Sequence, residues 1–227
     1  DGWSEGNANL KPINYAMNQS SYLAGYLAAA QSTTKVVGTY GGMQIDAVTD
    51  FMTGFYYGAQ AWAADNGTEV TVVGWDPAAG KGDFIGDFTP NSAVSKSIAA
   101  GQIAAGADVI FPVGGDQFGA TSEAITEAGV DALMIGVDKD IALTSPEYAA
   151  WMLTSVEKRM TNAVFDIIKD IAIDGNAFNG DSYLGTLENG GTALSPITNF
   201  SGDLAAIEAK LAELTDGIIA GSINPLG

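Results

Sequence analysis

The sequence predicts an α/β protein built on a doubly wound, largely parallel β-sheet, and three observations carry that reading. From residue 35 onward, short apolar runs alternate with longer amphipathic stretches, the rhythm of repeated βα units. Runs such as Val36-Val37 and Val109-Ile110-Phe111 lack polar alternation, which suits strands buried on both faces. Glycines close the intervening stretches at Gly67, Gly106 and Gly129, as helix ends favour.

Taken in order, residues 18–30 read as a helix, with Tyr22, Tyr26 and Ala29 at i, i+4 and i+7. Strands are expected over 35–40, 69–75, 107–113 and 132–137, with helices between them at about 44–65, 92–105 and 118–128. Asn91 or Ser92, following Pro90, supplies a cap for the second of these helices. Farther on come a helix over about 155–173, a strand over 182–187 and a turn at Asn189-Gly190-Gly191. A last helix over about 203–219 has an acidic start. The sequence carries no internal repeat and no low-complexity tract.

At 227 residues, 47% hydrophobic and with 29 glycines, the chain is long enough for one large domain or two smaller lobes. Its charge is one-sided: 27 acidic against 9 basic residues give a net −18, which repels phosphate backbones and anionic headgroups. Nucleic acid and anionic membrane surfaces are therefore excluded as partners, and the acidity serves solubility. Cysteine and histidine are both absent, which removes thiol nucleophiles, imidazole bases, Ser-His-Asp triads and ordinary zinc or haem sites. No cofactor is implied. No apolar run of about 18 residues is present to span a bilayer. The N-terminal Asp1-Gly2-Trp3-Ser4-Glu5-Gly6 lacks the basic and apolar regions of a signal peptide, so the chain is expected to be mature or trimmed.

In an open parallel sheet, ligands bind beyond the carboxyl ends of the strands, where loops and helix N-termini converge. The four expected strands lead there into Gly41-Gly42-Met43, a long loop over 76–91 with Phe84 and Phe88, Gly114-Gly115-Asp116-Gln117, and Asp138-Lys139-Asp140. Each has a plain structural reading. Diglycines make tight turns, a loop aromatic can anchor into the core, and a strand-end aspartate can cap the next helix. The functional reading rests on all four falling on one edge of one sheet. Neither G-x-x-x-x-G-K-[ST] nor G-x-G-x-x-G occurs, which argues against a phosphate cradle. A ring to stack on, free backbone amides and carboxylates suit an uncharged ligand with a flat ring and hydroxyls, a description that a nucleoside fits.

Five blocks carry a family resemblance. They are Ser21-Tyr22-Leu23-Ala24-Gly25-Tyr26-Leu27-Ala28-Ala29, Val37-Gly38-Thr39-Tyr40-Gly41-Gly42-Met43, Gly106-Ala107-Asp108-Val109-Ile110-Phe111 with Gly114-Gly115, Ile135-Gly136-Val137-Asp138-Lys139-Asp140, and Leu153-Thr154-Ser155-Val156-Glu157-Lys158-Arg159. In this order they resemble the basic membrane protein family of ABC-transporter receptors, the PnrA-like purine nucleoside receptors, over about residues 13–172. The resemblance implies a type I periplasmic-binding-protein fold, two Rossmann-like lobes joined by a hinge. It also implies a monomeric, non-enzymatic, extracytoplasmic receptor, lipid-anchored through an N-terminal cysteine, that feeds a permease and its ATPase. By position, Phe88 corresponds to the aromatic that stacks on the base, Gly114 and Gly115 to glycines whose backbone faces the ligand, and Asp138 to the carboxylate for ribose hydroxyls. Lys158 corresponds to the lysine reaching in from the other lobe; Asp140 and Met43 adjoin the same motifs and complete the candidate set.

The chain departs from the family pattern at two places. Asp138-Lys139-Asp140-Ile141 stands where Asp-x-Asp-Gln is usual, and Gly114-Gly115-Asp116-Gln117 where Gly-Gly-Thr-Gly is usual, changes that bear on ligand preference. Members also carry on the order of a hundred further residues upstream, in line with two lobes of typical domain size. On that basis residues 1–18 and about 139–187 are assigned to the first lobe, and about 19–138 and 188–227 to the second. Two alternatives stay open: a receptor of the same fold for a sugar or other small ring, and an enzyme using Asp138, Asp140 and Lys158 on nucleosides.

Overall fold

The computed structural model describes residues 2 and 4–227; Asp1 and Trp3, part of the N-terminal run read above, lie outside the described residues. The chain begins with β1 (Ile13–Tyr15), α1 (Met17–Gln31), β2 (Val36–Gly41), α2 (Asp46–Asn66) and β3 (Thr71–Val73). A small hairpin follows, β4 (Trp75–Asp76) with β5 (Lys81–Gly82), then α3 (Ala93–Ala104), β6 (Val109–Val113), α4 (Phe118–Ala128) and β7 (Leu133–Asp138). After a single turn, α5 (Ile141–Thr144), and a 3₁₀ helix (Pro146–Trp151) come β8 (Met152–Lys158) and α6 (Met160–Ala172). The chain ends with β9 (Tyr183–Gly185), β10 (Thr192–Leu194) and α7 (Leu204–Ile219).

Six strands form the main sheet in the order β10-β8-β7-β6-β2-β3. All its pairs are parallel except β10 with β8, so the expected doubly wound α/β architecture is what the sequence folds into. Helices α1, α2 and α7 pack as one group and α3 with α4 as another, which accounts for strands without polar alternation. Val37, Val109, Ile110, Phe111, Met134 and Ile135 are fully buried at its centre. Strand order reverses between β2, which leads through α2 to the outer β3, and β6, which returns to its other side. That reversal opens a crevice at the carboxyl ends of β2 and β6.

Local signals mark the helix ends. Ser92 Oγ accepts from Ser95 N at 3.1 Å and caps α3, while Asn91 Oδ1 reaches across to accept from Ala120 N at 3.0 Å in the first turn of α4. Gly67 and Gly129 close α2 and α4 in the left-handed conformation, at φ 59° and 64°. Among the described residues, no helix is long and apolar enough to cross a membrane.

Helices α1 and α2 touch backbone to backbone, and glycine is what allows it. A Cβ on Gly58 would stand 1.9 Å from the Tyr22 carbonyl oxygen, and one on Gly25 would stand 2.0 Å from that of Phe55. Gly58→Ala is therefore expected to force the helices apart and cost about 1–3 kcal/mol, the usual penalty of overpacking. A lowered thermal midpoint with the helical circular dichroism retained would report it.

Asp108 ties the turn before β2 to the loop before β6. Its Oδ2 accepts from Thr33 N at 2.7 Å, Thr33 Oγ1 at 2.9 Å and Thr34 N at 3.0 Å. Burial pushes the carboxyl up, but the Ser32 hydroxyl and the Thr33 and Thr34 donors outweigh it and hold it below the usual carboxylate range. A depressed folded-state value means stability that is present above the unfolded carboxylate range and lost as pH falls through the folded one. Asp108→Ala is expected to lose about 1–3 kcal/mol at neutral pH. Denaturant titrations should show its gap from the parent protein narrowing on acidification.

Three sequence readings need correction. The helix expected over 155–173 begins only at Met160, because residues 152–158 form β8 beside β7. The polar residues that disguise this strand are satisfied within the core: Thr154 Oγ1 donates to Ser195 O at 2.9 Å, and Ser155 Oγ accepts from Ile141 N at 3.1 Å. In consequence the segment from 139 to 158, assigned above to the first lobe, runs into the main sheet through β8. The strand expected over 69–75 keeps only Thr71–Val73, since Gly74 turns at φ 86° and sends Trp75 into the small hairpin. Separately, β1 pairs in parallel with β9, outside the main sheet.

Candidate functional site

A cavity of about 220 Å³ lies at the crevice where strand order reverses. Val113, Gly114 and Gly115 line it from the end of β6, Val137 and Asp138 from the end of β7, and Lys158 from the end of β8. The first turn of α2 contributes Ile45, Ala47 and Val48, with Phe51 one turn deeper and Phe88 facing them. A larger hollow, about 490 Å³, lies between α1, β10 and α7, lined by Leu23, Leu194 and Leu211 among others. It runs along the edge strand β10 and meets the strand ends only at Arg159, after β8, whereas the smaller cavity gathers the ends of β6, β7 and β8 and is the candidate site.

Phe88 owes its place to a loop stitched onto the end of β2. Ile85 N donates to Gly41 O at 2.9 Å, Gly86 N to Gly42 O at 2.8 Å, and Gln117 Nε2 to Thr89 O at 3.1 Å. The two aromatics of this loop divide the possible roles. Phe84 turns inward to an edge-on contact with Trp75, ring centroids 5.9 Å apart, whereas Phe88 is 45% exposed. Gly42 makes room for it, since a Cβ there would stand 2.5 Å from ring atoms of Phe88. Gly114 packs against the same diglycine, and Gly115 turns at φ 69°.

Asp138 is held in a strained conformation at φ 68°, and Lys139 N donates to Val137 O at 2.8 Å across it. This is a γ-turn with positive φ, a form that costs on the order of 1–3 kcal/mol and concentrates at functional sites. The turn stands the carboxylate at the rim, where Oδ1 lies 3.6 Å from Lys158 Nζ. Lys158 is the more buried partner, and its ammonium also lies 5.3 Å from the centre of the Phe51 ring. An ionised carboxylate accepts two hydrogen bonds from a vicinal diol, with the lysine beside it as donor or counter-charge. Phe88, a flat apolar face, and the first turn of α2, whose N-cap Ile45 makes no side-chain cap hydrogen bond, line the same cavity.

Of the seven sequence-expected residues, Phe88, Gly114, Gly115, Asp138 and Lys158 line this cavity. Met43 and Asp140 do not. Met43 is exposed on the diglycine turn, and Asp140 caps α5, its Oδ1 accepting from Leu143 N at 3.2 Å. Asp140 does line a neighbouring hollow that includes Asp138 and Lys158. Asp116, part of the departure from the family pattern after β6, is exposed and outside the lining. Sequence reasoning missed Ile45, Val48 and Phe51. Phe51 and Phe55 share a helix face packed on Phe111, which reads only as core. The one available signal was Ile45, an apolar residue at a helix N-cap just after a diglycine, where a polar cap is usual.

A parallel sheet whose strand ends open onto a polar-rimmed cleft is the architecture of ligand-binding α/β proteins. A family model described as ABC transporter substrate-binding protein PnrA-like matches residues 1–196, and the chain belongs to this family of binding proteins. It is 30% identical over 224 residues to the ABC transporter nucleoside-binding protein BmpA of Lactococcus lactis, with 93% of this chain and 60% of that protein covered. It is 26% identical over 216 residues to basic membrane protein D of Borreliella burgdorferi, with 95% and 59% covered. The chain thus spans about three-fifths of the length of these relatives. Among solved structures, an ABC transporter solute-binding protein of Aeropyrum pernix superimposes with a TM-score of 0.76 at 24% identity, covering 99% of this chain and 68% of the other. One from Conexibacter woesei gives 0.67 at 21%, covering 96% and 65%. These likenesses agree with a type I periplasmic-binding-protein fold, of which the chain holds part.

Proposed function

We propose that this chain is the ligand-binding part of an extracytoplasmic receptor that takes a nucleoside, preferentially a purine nucleoside, and delivers it to a membrane permease driven by a cytoplasmic ATPase. The observation that carries the reading is that Phe88, an exposed aromatic, and the Asp138–Lys158 carboxylate–ammonium pair line one cavity. The base stacks on Phe88, the ribose diol donates to Asp138, and Lys158 orients the carboxylate and donates to the ligand. The name of the Lactococcus relative, a nucleoside-binding protein, supports the same ligand class.

The receptor works by closure of two lobes, with the protein a monomer tethered by lipid. The main sheet, with β8, belongs to one lobe; the small β1–β9 sheet and α6 belong to the other. Two observations support this division. A two-stranded sheet is marginal by itself, and α6 leaves Phe165 and Ile168 exposed at 60% and 57%, a face that suits burial against more protein. Ligand contacts to both lobes favour the closed state, which the permease then engages.

Mass spectrometry of small molecules released from the natively purified full-length protein tests the ligand class. An intact purine nucleoside is expected. A sugar would point to the other receptor class, and free base accumulating from added nucleoside would point to an enzyme.

A further inference from the structure

A second hollow, of about 350 Å³, adjoins the site and is lined by Ile13, Tyr15, Asp138, Lys158, Met160 and Val164. It shares Asp138 and Lys158 with the cavity that contains Phe88, so the ion pair stands between the two. Tyr15 is only 8% exposed, and its hydroxyl is buried with no hydrogen-bond partner among the described residues. Buried polar groups are nearly always partnered, so an orphaned phenol beside a ligand site calls for an explanation. The Tyr15 ring packs on Gly185, where an added Cβ would stand 2.4 Å from a ring carbon, so the ring is fixed in place.

We infer that the Tyr15 hydroxyl is a ligand contact and that this hollow receives the 5′-hydroxymethyl end of the bound sugar. The inference rests on the nucleoside reading above. With the base on Phe88 and the 2′,3′-diol on Asp138, the 5′-hydroxyl is the sugar group left without a partner, and the space beyond Asp138 leads to Tyr15. Burial raises the Tyr15 phenol, which keeps it a neutral donor and acceptor near neutral pH. Ile13, Met160 and Val164 give the hollow apolar walls, and among the described residues its one cation, Lys158, is paired with Asp138 at 3.6 Å. That environment suits a hydroxymethyl group and disfavours a 5′-phosphate dianion.

Calorimetry on the full-length protein and its Tyr15→Phe variant, each with adenosine and 5′-deoxyadenosine, tests this as a cycle. The parent protein should bind adenosine about 3- to 10-fold more tightly than 5′-deoxyadenosine, the worth of one neutral hydrogen bond, and Tyr15→Phe should erase that preference. Without ligand, the variant should melt at the parent temperature or slightly above, because the hydroxyl it removes has no protein partner. A preference that survives Tyr15→Phe, or equal binding of both nucleosides by the parent, overturns the inference while leaving nucleoside binding standing. A clear drop in the melting temperature of the variant overturns it too, by giving the hydroxyl a structural role. Failure of the parent to bind either nucleoside removes the nucleoside reading itself, and this inference with it.

Discussion

Asp138→Asn should lower the affinity of the full-length protein for purine nucleosides by about 10- to 100-fold, the worth of a charge-assisted acceptor facing a diol. The amide keeps the size of the side chain and tolerates the positive φ of the γ-turn, since Asn, like Asp, enters the left-handed region more readily than most residues. What changes is the chemistry: a carboxylate accepts from both hydroxyls of a diol, whereas an amide offers one acceptor oxygen and one donor nitrogen. Lys158 loses its counter-charge at 3.6 Å as well. Fluorescence or calorimetric titration reads the loss directly. Because Asp138 stands at the rim, the melting temperature of the ligand-free variant should stay near that of the parent. A variant that binds as tightly as the parent would remove Asp138 from the site.

Phe88→Ala is expected to weaken nucleoside binding by about 1–3 kcal/mol, the usual worth of one base–aromatic stack, or roughly 5- to 150-fold. The fold should tolerate the change, because the loop is held by backbone bonds from Ile85 and Gly86 to the Gly41-Gly42 turn that do not involve the ring. Phe84→Ala is the contrasting control. That ring packs edge-on against Trp75, so its loss should lower stability as well as binding. Phe88→Trp should retain most of the affinity, since the stacking face is kept. A Phe88→Ala protein that binds nucleosides normally would show that the exposed ring plays no part in recognition.

The contrast between these aromatics shows how far the sequence could be read. Phe84 and Phe88 lie in one loop, and nothing in local pattern says which turns inward; the difference arises from the pairing of residues 83–86 with the end of β2. Helices α2, α3, α4 and α7 were legible because their ends carry local signals, from the Ser92 and Asp203 caps to the left-handed Gly67 and Gly129. Strand β8 was not. Thr154 and Ser155 look too polar for a buried strand until Ser195 and Ile141, distant in sequence, supply their partners.

The candidate site divides in the same way. Gly114, Gly115 and Asp138 were readable because strand carboxyl ends converge in a parallel sheet, whereas Lys158, expected within a helix, was marked only by the family resemblance; the structure brings all four to one cavity. Asp140 follows the same rule of position yet serves α5 as its cap, the local role open to any aspartate before a helix. Phe51 was hidden because a helix residue packed on Phe111 is indistinguishable in sequence from ordinary core.

Isothermal titration of the full-length protein with adenosine, inosine and guanosine, set against free ribose and free adenine, decides whether a nucleoside is the ligand. Saturable, one-site binding of the nucleosides is expected, with much weaker binding of either half alone and a loss of heat with Asp138→Asn. Absence of binding to every nucleoside, or ribose bound as tightly as the whole nucleoside, would contradict the nucleoside reading.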